Sequence, residues 1–204
     1  GAALGGRRSD VIVATKFSSE EMFAGGAAAT ANHVAGFCKE VTFLTNLGPG
    51  KSETDFIRGK LRSNVRLEFV RTEDRPTVRK QRFVEPDQLR KMFELQYLND
   101  MPIAVADEKA FLEKMSQELP RHDMVIVNDF GHGLLTKGLR EQVSACGKFL
   151  ALNTQSNSAN HGFNAITKYS RADYVAIDEP ELRVATRDKY GAIPDLASQV
   201  REQL

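Results

Sequence analysis

The sequence predicts an α/β fold, a three-layer α/β/α core with a mainly parallel sheet and a small antiparallel β flap. Beyond residue 100, short apolar segments alternate with stretches of helical spacing, the order that right-handed βαβ units produce. The apolar run at residues 124–127 suits a strand that is buried on both faces. Before residue 100, Val65, Leu67 and Phe69 alternate with charged residues, the period of a half-buried strand.

In the first half of the chain, local patterns define each element in turn. Residues 11–14 are the β-rich centre of a strand, and Phe56, Ile57 and Leu61 share one face of a helix. Residues 73–76 form a turn between two strands of a basic hairpin. We predict strands at 10–17, 41–45, 65–69, 77–84 and 91–98, and helices at 27–37 and 53–63. The flap is expected to use strands within residues 10–24 and 65–98.

The second half of the chain has a regular rhythm of strands and helices. We predict strands at 124–128, 149–153 and 174–177, and helices at 107–119, 137–145, 164–169 and 180–189. At 204 residues, the chain is long enough to bury one core, so residues 1–204 are expected to form one domain or most of one.

Composition excludes some classes of function. Hydrophobic residues make up 41% and charged residues 27%, as in an ordinary globular protein, and no apolar run approaches the ~20 residues that span a membrane. Cys38 and Cys146 lack metal-ligand spacing, which favours a reduced, cytoplasmic setting. The net charge of +1 gives no general case for nucleic-acid binding.

Charge is distributed unevenly along the chain. Residues 58–91 contain 11 Lys and Arg against 5 Asp and Glu, a local charge of +6. Such a segment is either a solvated face or a surface that attracts phosphorylated small molecules. Both interpretations stay open from the residues alone.

Polar turns follow three of the predicted strands. They contain Asn128 and Asp129, residues 153–155, and residues 178–181. In open parallel sheets, ligands bind beyond the carboxyl ends of the strands. Three polar strand ends in succession therefore predict a ligand site at that edge of the sheet.

Two glycines, Gly25 and Gly26, lead directly into the Ala-rich helix predicted at 27–37. Glycine allows positive φ and close backbone approach, and a helix N-terminus presents unpaired N–H groups to a sugar or a phosphate. The alternative is a tight turn whose small residues serve helix packing. By contrast, residues 48–52 imitate the end of a P-loop but have Thr45 where its first glycine belongs, so we reject that motif.

In this order and spacing, the motifs resemble those of the ribokinase-type (PfkB) carbohydrate kinases over nearly the whole chain. The segments that carry this resemblance are the double glycine, Pro76-Thr77-Val78-Arg79-Lys80-Gln81-Arg82, Asn128-Asp129-Phe130-Gly131 and Asp178-Glu179-Pro180-Glu181. The sequence looks most like the kinase half of bifunctional heptose-phosphate kinase/nucleotidyltransferases. The resemblance implies a Rossmann-like ribokinase fold and ATP-dependent phosphoryl transfer to a sugar hydroxyl, with Mg²⁺ and ATP as cofactors.

The resemblance also implies roles for individual residues. The substrate-binding residues would be Gly25, Gly26, Asn32, Lys80, Arg82 and Asp129. Asn32 is included because Ala29 stands where the family has its sugar-binding Asn. The nucleotide-binding residues would be Asn153, Asp178 and Glu181, with Glu181 also holding Mg²⁺ through water.

Each of these motifs has a structural alternative. Lys80 and Arg82 share one face of an extended strand, where they would bind a phosphate or simply face solvent. Asp129 could tighten the turn before Gly131. Asp178 as the N-cap and Glu181 at N3 are typical of the N-terminus of a helix. His132, between two glycines, is assigned no role as acid or base.

The family's catalytic G-A-G-D segment and its first strand are not found in this sequence, so we assign no catalytic residue. We expect a partial sugar-kinase domain that is inactive alone, or a non-catalytic sugar- or nucleotide-binding or dimerisation module derived from the same fold. The expected partners are a sugar phosphate, a second copy paired through the flap, and a fused or separate nucleotidyltransferase domain. Neither nucleic acid nor a membrane is expected as a partner.

Overall fold

Strands and helices alternate along the chain in the order that the sequence predicts. The computed structural model describes residues 3–4 and 14–204. The strands are β1 (Ala3–Leu4), β2 (Ala14–Thr15), β3 (Val41–Leu47), β4 (Val65–Arg71), β5 (Arg79–Glu85), β6 (Arg90–Tyr97), β7 (Met124–Asp129), β8 (Phe149–Thr154) and β9 (Tyr174–Val175). The helices are α1 (Ala27–Val34), α2 (Lys51–Lys60), α3 (Val105–Glu118), α4 (Lys137–Ser144), α5 (Glu179–Thr186) and α6 (Ile193–Gln203).

Strands β3 and β4 form a parallel pair that α2 connects. α1 covers one face of this pair, where Ala31 and Ala35 pack with Val65. α3 covers the other face and contributes Phe111 and Met115 to the main core. Burial on both faces is what parallel strands require, so the α/β/α layering predicted from the sequence is confirmed in this part of the molecule.

Strands β7, β8 and β9 form a second parallel sheet in that order. Its core contains Leu139 of α4, Leu150 and Leu152 of β8, and Leu196 of α6, each at most 1% exposed. Side chains alternate across β8, with Leu150, Leu152 and Thr154 buried. The carboxyl ends of β7 and β8 therefore lie side by side, which places their polar turns together.

The flap is the antiparallel hairpin of β5 and β6. Phe83 and Phe93 stack across it with ring centroids 4.3 Å apart. Both stems of the hairpin are tied to Arg75, which is 4% exposed and donates hydrogen bonds of 2.9 Å to the carbonyls of Met101 and Pro102. A buried guanidinium on backbone carbonyls fixes where the flap leaves the core.

A cleft of about 2190 Å³ separates the two parallel sheets and runs up to the flap. All residues of β3 and β7 line it, since within the described part of the chain β3 pairs with β4 alone and β7 with β8 alone. The two strands begin at the same end of the molecule, where His122 Nε2 lies 3.0 Å from Thr42 Oγ1. Within the described part of the chain, the edges of β3 and β7 that pair with no further strand therefore face each other across the cleft.

Some boundaries differ from the sequence predictions. β4 belongs to the parallel sheet and not to the flap, where it was predicted. The prediction was wrong because an alternating pattern does not reveal which strand is the pairing partner. Residues 16–25 contain no strand. The first half of the strand predicted at 10–17 lies outside the described residues, and its second half contains β2 (Ala14–Thr15). The helix predicted at 164–169 is a 3-10 turn at Ile166–Lys168, and α6 was not predicted.

Two further properties concern the whole described chain. Among residues 3–4 and 14–204, no helix combines the length and the apolar character needed to cross a membrane. Cys38 is exposed and Cys146 is partly buried, and both are free thiols.

Candidate functional site

The upper part of the cleft gathers residues from the flap, from the start of α1 and from the end of β7. Five of the six side chains or glycines predicted to bind substrate line it: Gly25, Gly26, Lys80, Arg82 and Asp129. His132, to which the sequence pattern assigns no role, lines it as well. These residues are distant in sequence, so their meeting is a consequence of the fold.

Gly26 shapes the start of α1. Its φ of +57° lies in the left-handed region, and a Cβ there would meet the Phe130 ring at 3.4 Å. No described side chain caps the helix, so the N–H groups of its first turn have no side-chain partner. The double glycine therefore brings a helix N-terminus against the turn after β7.

Lys80 and Arg82 lie on β5 with one residue between them, as predicted for a shared face. Arg82 forms a cross-strand ion pair with Glu94, with Nε 2.6 Å from Oε2, and half of its side chain is exposed. Lys80 lies close enough to His132 that its charge, after burial, lowers the pKa of the imidazole. The flap therefore holds one cation above the turn after β7 and a second that is already paired.

Asp129 anchors that turn from inside. It is 4% exposed, and its Oδ2 accepts a 2.8 Å hydrogen bond from the Tyr169 hydroxyl and lies 2.5 Å from Lys168 Nζ. Its Oδ1 accepts a 2.9 Å bond from the N–H of Gly131. Burial raises the pKa of the Tyr169 hydroxyl, and the Asp129 carboxylate raises it further. Burial lowers the pKa of the Lys168 ammonium, and the Asp129 carboxylate partly opposes that shift. The geometry thus agrees with the turn-tightening interpretation of Asp129.

An asparagine network around the same turn was missed from the sequence. Asn157 and Asn160 donate to the carbonyl of Phe130 at 2.8 and 3.2 Å, and Asn164 donates to the carbonyl of Asp129 at 2.7 Å. Gly131, at φ +69°, passes so close that a Cβ would lie 2.6 Å from Asn160 Nδ2. The concentration of Asn between residues 153 and 164 was the available signal in the sequence. The backbone carbonyls that these side chains bind lie 27 to 35 positions earlier, so the sequence does not indicate them.

Asn32 does not line the cleft. Its Nδ2 donates to the carbonyl of Lys60 and its Oδ1 accepts from the N–H of Arg62, both at 2.8 Å. These two bonds fasten α1 to the turn before β4. Since both ends of the amide are used there, we leave Asn32 out of the proposed site.

Asn153, Asp178 and Glu181 meet beside β9, where they line a second cavity of about 820 Å³. Asp178 and Glu181 form a complete capping box at the start of α5, with bonds of 2.8 and 2.9 Å. The second carboxylate oxygen of Glu181 accepts from the N–H of Ser156 at 2.8 Å. The helix-start interpretation of these residues is therefore confirmed.

The side chains of Asn153, Asp178 and Glu181 are poorly arranged to coordinate a metal ion directly. Among the residues that the structure describes, no three His, Cys, Asp or Glu side chains cluster as metal ligands. Each Glu181 oxygen has already accepted one backbone hydrogen bond, so its remaining lone pair suits water better than direct coordination. Among the described residues, this arrangement therefore forms no cage of protein ligands for a metal ion.

Comparison with known proteins relates the chain to one group of enzymes. No family model matches it. It is 27% identical over 188 residues to the "Bifunctional protein HldE" of Nitrobacter hamburgensis, covering 89% of this chain and 37% of that protein. The HldE of Rhodopseudomonas palustris is 26% identical over 184 residues, with 88% and 36% covered. The chain thus spans little more than a third of the length of these curated relatives.

Solved structures agree in fold. A ribokinase from Giardia lamblia matches with a TM-score of 0.54 at 12% identity, covering 78% of this chain and 48% of that one. A PfkB protein from a Polaromonas species matches with a TM-score of 0.53 at 14% identity, covering 86% and 62%. The chain therefore has the fold of the ribokinase-type carbohydrate kinases, as its motifs predicted. In sequence, the chain is related to the HldE proteins.

Proposed function

We propose that this chain is part of an ATP-dependent sugar-phosphate kinase and that the upper cleft binds a phosphorylated sugar, a heptose phosphate in particular. One observation carries the proposal: Lys80 of the flap and Gly26, the residue before α1, line the same cleft as the end of β7. A cation and a helix N-terminus that face one cavity attract the same ligand, an anion with hydroxyl groups.

The charges of the described residues support a phosphate over a neutral sugar. Most basic side chains between residues 58 and 91 serve internal contacts, such as Arg66 with Glu118 and Arg75 with backbone carbonyls. Lys80 has no such partner among the described residues, and Arg82 keeps its outer nitrogens free beside Glu94. Both line the cleft, so these two cations are available to an anion there.

We place the nucleotide in the second cavity. Asn153, Asp178 and Glu181 line it near the ends of β8 and β9, and the cavity continues along the edge of β9 to Ala172 and Asp173. Proteins of the same fold support ATP as the phosphoryl donor with Mg²⁺ as its metal ion. We assign that Mg²⁺, held through water, to Glu181. Because capping accounts for the contacts of Asp178 and Glu181, their nucleotide role rests on this location.

The remaining partners follow from the relatives and from the surface of the flap. The HldE proteins are named as bifunctional and are much longer than this chain, which supports a fused nucleotidyltransferase and a role in nucleotide-sugar synthesis. The flap exposes Leu89, Phe93 and Leu95 at 79, 46 and 44%, and we propose that a second copy pairs there. The proposed location of the protein is the cytoplasm.

A non-catalytic binding module is the second candidate. Ala29 stands where the related kinases place a sugar-binding Asn, and Asn32 faces away from the cleft. Asp129 is held by Lys168 and Tyr169 inside the turn. A protein that keeps the phosphate contacts while losing sugar contacts would bind its ligand without transferring phosphate to it.

Calorimetric titration with a heptose phosphate tests the binding proposal. The double variant Lys80→Ala/Arg82→Ala should bind at least about tenfold more weakly, because it loses two charge-assisted contacts. The matched control is Arg90→Ala/Lys91→Ala, which removes two flap cations that do not line the cleft. Equal affinity of the two double variants would refute the proposal. ATP turnover by the natural full-length protein then separates the kinase from the binding module.

A further inference from the structure

Near its base, the flap turns polar side chains inward and apolar side chains outward. Glu94 and Gln96 of β6 are half-buried, whereas Phe93, Leu95 and Tyr97 are exposed. Apolar burial would hold a hairpin against the core, and a two-stranded hairpin has little stability of its own. The base of the flap is therefore held over the cleft by polar contacts.

Gln96 reaches out of the flap to a second segment of the chain. Its Nε2 donates a 2.9 Å hydrogen bond to Ser158 Oγ and a 2.7 Å hydrogen bond to Glu94 Oε1. Both bonds form at once because a side-chain amide carries two N–H donors. Arg82, by contrast, pairs with Glu94 inside the flap. The bond from Gln96 therefore joins the flap to a loop 62 residues further along the chain.

Ser158 belongs to a loop that is fixed to the turn after β7. The preceding residue, Asn157, donates from Nδ2 to the carbonyl of Phe130 at 2.8 Å. Its Oδ1 accepts from the N–H groups of Ala159 and Asn160 at 2.9 and 3.2 Å, which orders the backbone around Ser158. Hydrogen bonds thus continue from the flap, through this loop, to the turn on the other side of the upper cleft.

Lys80 lies at the flap end of this connection. It is the cross-strand partner of Gln96, so the two side chains stand beside each other on one face of the hairpin. The register shift of the hairpin falls farther from its base, between Phe83 and Val84. Fixing Gln96 therefore also fixes the backbone position from which Lys80 lines the cleft.

We propose that the hydrogen bond between Gln96 and Ser158 is a latch that holds the flap, and with it Lys80, at a set distance from the turn after β7. Both are positioning residues, since neither lines the cleft. The role of Lys80 toward a ligand rests on the proposed function, whereas the latch belongs to the protein without ligand. One exposed hydrogen bond contributes about twice the thermal energy, so the latch opens and closes readily.

Hydrogen exchange of the backbone amides tests the latch without any ligand. Ser158→Ala should raise exchange at residues 79–97 about fivefold, the factor that one lost hydrogen bond produces, and leave β7 and β8 unchanged. Ser158→Thr keeps the hydroxyl and should exchange as wild type does. The matched control is Ser156→Ala, because Ser156 contacts Glu181 through its backbone N–H and keeps that bond.

Calorimetric titration with a heptose phosphate tests the positioning of Lys80. Ser158→Ala should bind about two- to fivefold more weakly, because a smaller fraction of the protein holds Lys80 in place. In a Lys80→Ala background, the same change should have little effect on affinity. A general structural role for Ser158 would instead weaken binding equally in both backgrounds.

Each outcome decides one part of the inference. Unchanged flap exchange in Ser158→Ala, or the same increase in Ser156→Ala, would overturn the latch. Equal losses of affinity with and without Lys80 would overturn the positioning role. If wild type binds no heptose phosphate while the exchange results hold, the latch stands and the proposed sugar-phosphate site fails. Urea unfolding identifies any loss of the fold, and Gln96→Ala then breaks the same bond from the flap side.

Discussion

The hydroxyl of Tyr169 donates a 2.8 Å hydrogen bond to Oδ2 of Asp129, which also lies 2.5 Å from Lys168 Nζ. One carboxylate at the end of β7 therefore compensates a half-buried ammonium and satisfies a buried phenol. This triad joins the 3-10 turn after β8 to the turn that carries His132, so the position of the cleft wall depends on it.

Asp129→Ala should destabilise the fold by about 3 kcal/mol, because it leaves Lys168 without a counter-charge in a poorly solvated position. Urea unfolding measures the change. Asp87→Asn, at an exposed position in the flap turn, is the control and should stay within about 0.5 kcal/mol of wild type. Adding Lys168→Met to Asp129→Ala should recover part of the loss, and a double variant less stable than the single one would contradict this role for Asp129.

Gly26→Ala should cost about 1–2 kcal/mol of the free energy of unfolding, since alanine at φ +57° is strained and its Cβ would press on Phe130. Gly25→Ala is the matched control, because a Cβ added there would meet no atom within 4 Å and the φ of Gly25 does not lie in the left-handed region. Thermal and urea unfolding of both variants decide the matter. Equal stabilities would mean that the double glycine is not a conformational requirement.

The carboxylate of Glu118 should make stability depend on acid pH. Hydrogen bonding to Arg66 lowers its pKa below the ordinary 4.5, outweighing burial. A pKa that is lower in the folded state means stability that is present above 4.5 and is lost as pH falls through the folded value. Glu118→Gln should therefore cost about 1 kcal/mol at pH 7, with Arg66 partly screened by solvent, and less at pH 3. Glu113→Gln, on the exposed face of α3, should show no such trend.

Asp178→Ala should destabilise the protein by about 1 kcal/mol, because the N–H of Glu181 loses its capping acceptor. Asp178→Asn keeps an acceptor and should retain most of that stability. Chemical unfolding at neutral pH compares the two. If Asn were as costly as Ala, the negative charge and not the cap would be what α5 requires.

Most periodic and local signals were read correctly from the sequence, although α6 was missed and the helix predicted at 164–169 is only a 3-10 turn. Alternating apolar segments and helical spacing indicated the α/β layering, and the capping box at Asp178 needed only four residues to be recognised. Asp129 was expected at the ligand edge because it ends a parallel strand, whereas Gly26 and Lys80 were assigned to the same site only through the family resemblance. Asn32 could not be placed, since its direction depends on the rotation of α1 against the turn before β4.

Long-range relationships were the part that sequence reasoning missed. β4 pairs with β3 and not with the flap, and nothing in an alternating pattern names a partner. The Asn160 and Asn164 side chains reach back about 30 residues to the turn after β7. His132 was passed over because its flanking glycines account for the turn, while its orphan Nδ1 is visible only in three dimensions.

The most direct test of the central claim is an NMR titration of the backbone amides with a heptose phosphate. We predict shift changes at Gly26, Lys80 and residues 131–133, which lie on three different elements around one cleft. Changes confined to the cavity beside β9, or no changes at saturating ligand, would contradict the assignment of the upper cleft as a sugar-phosphate site.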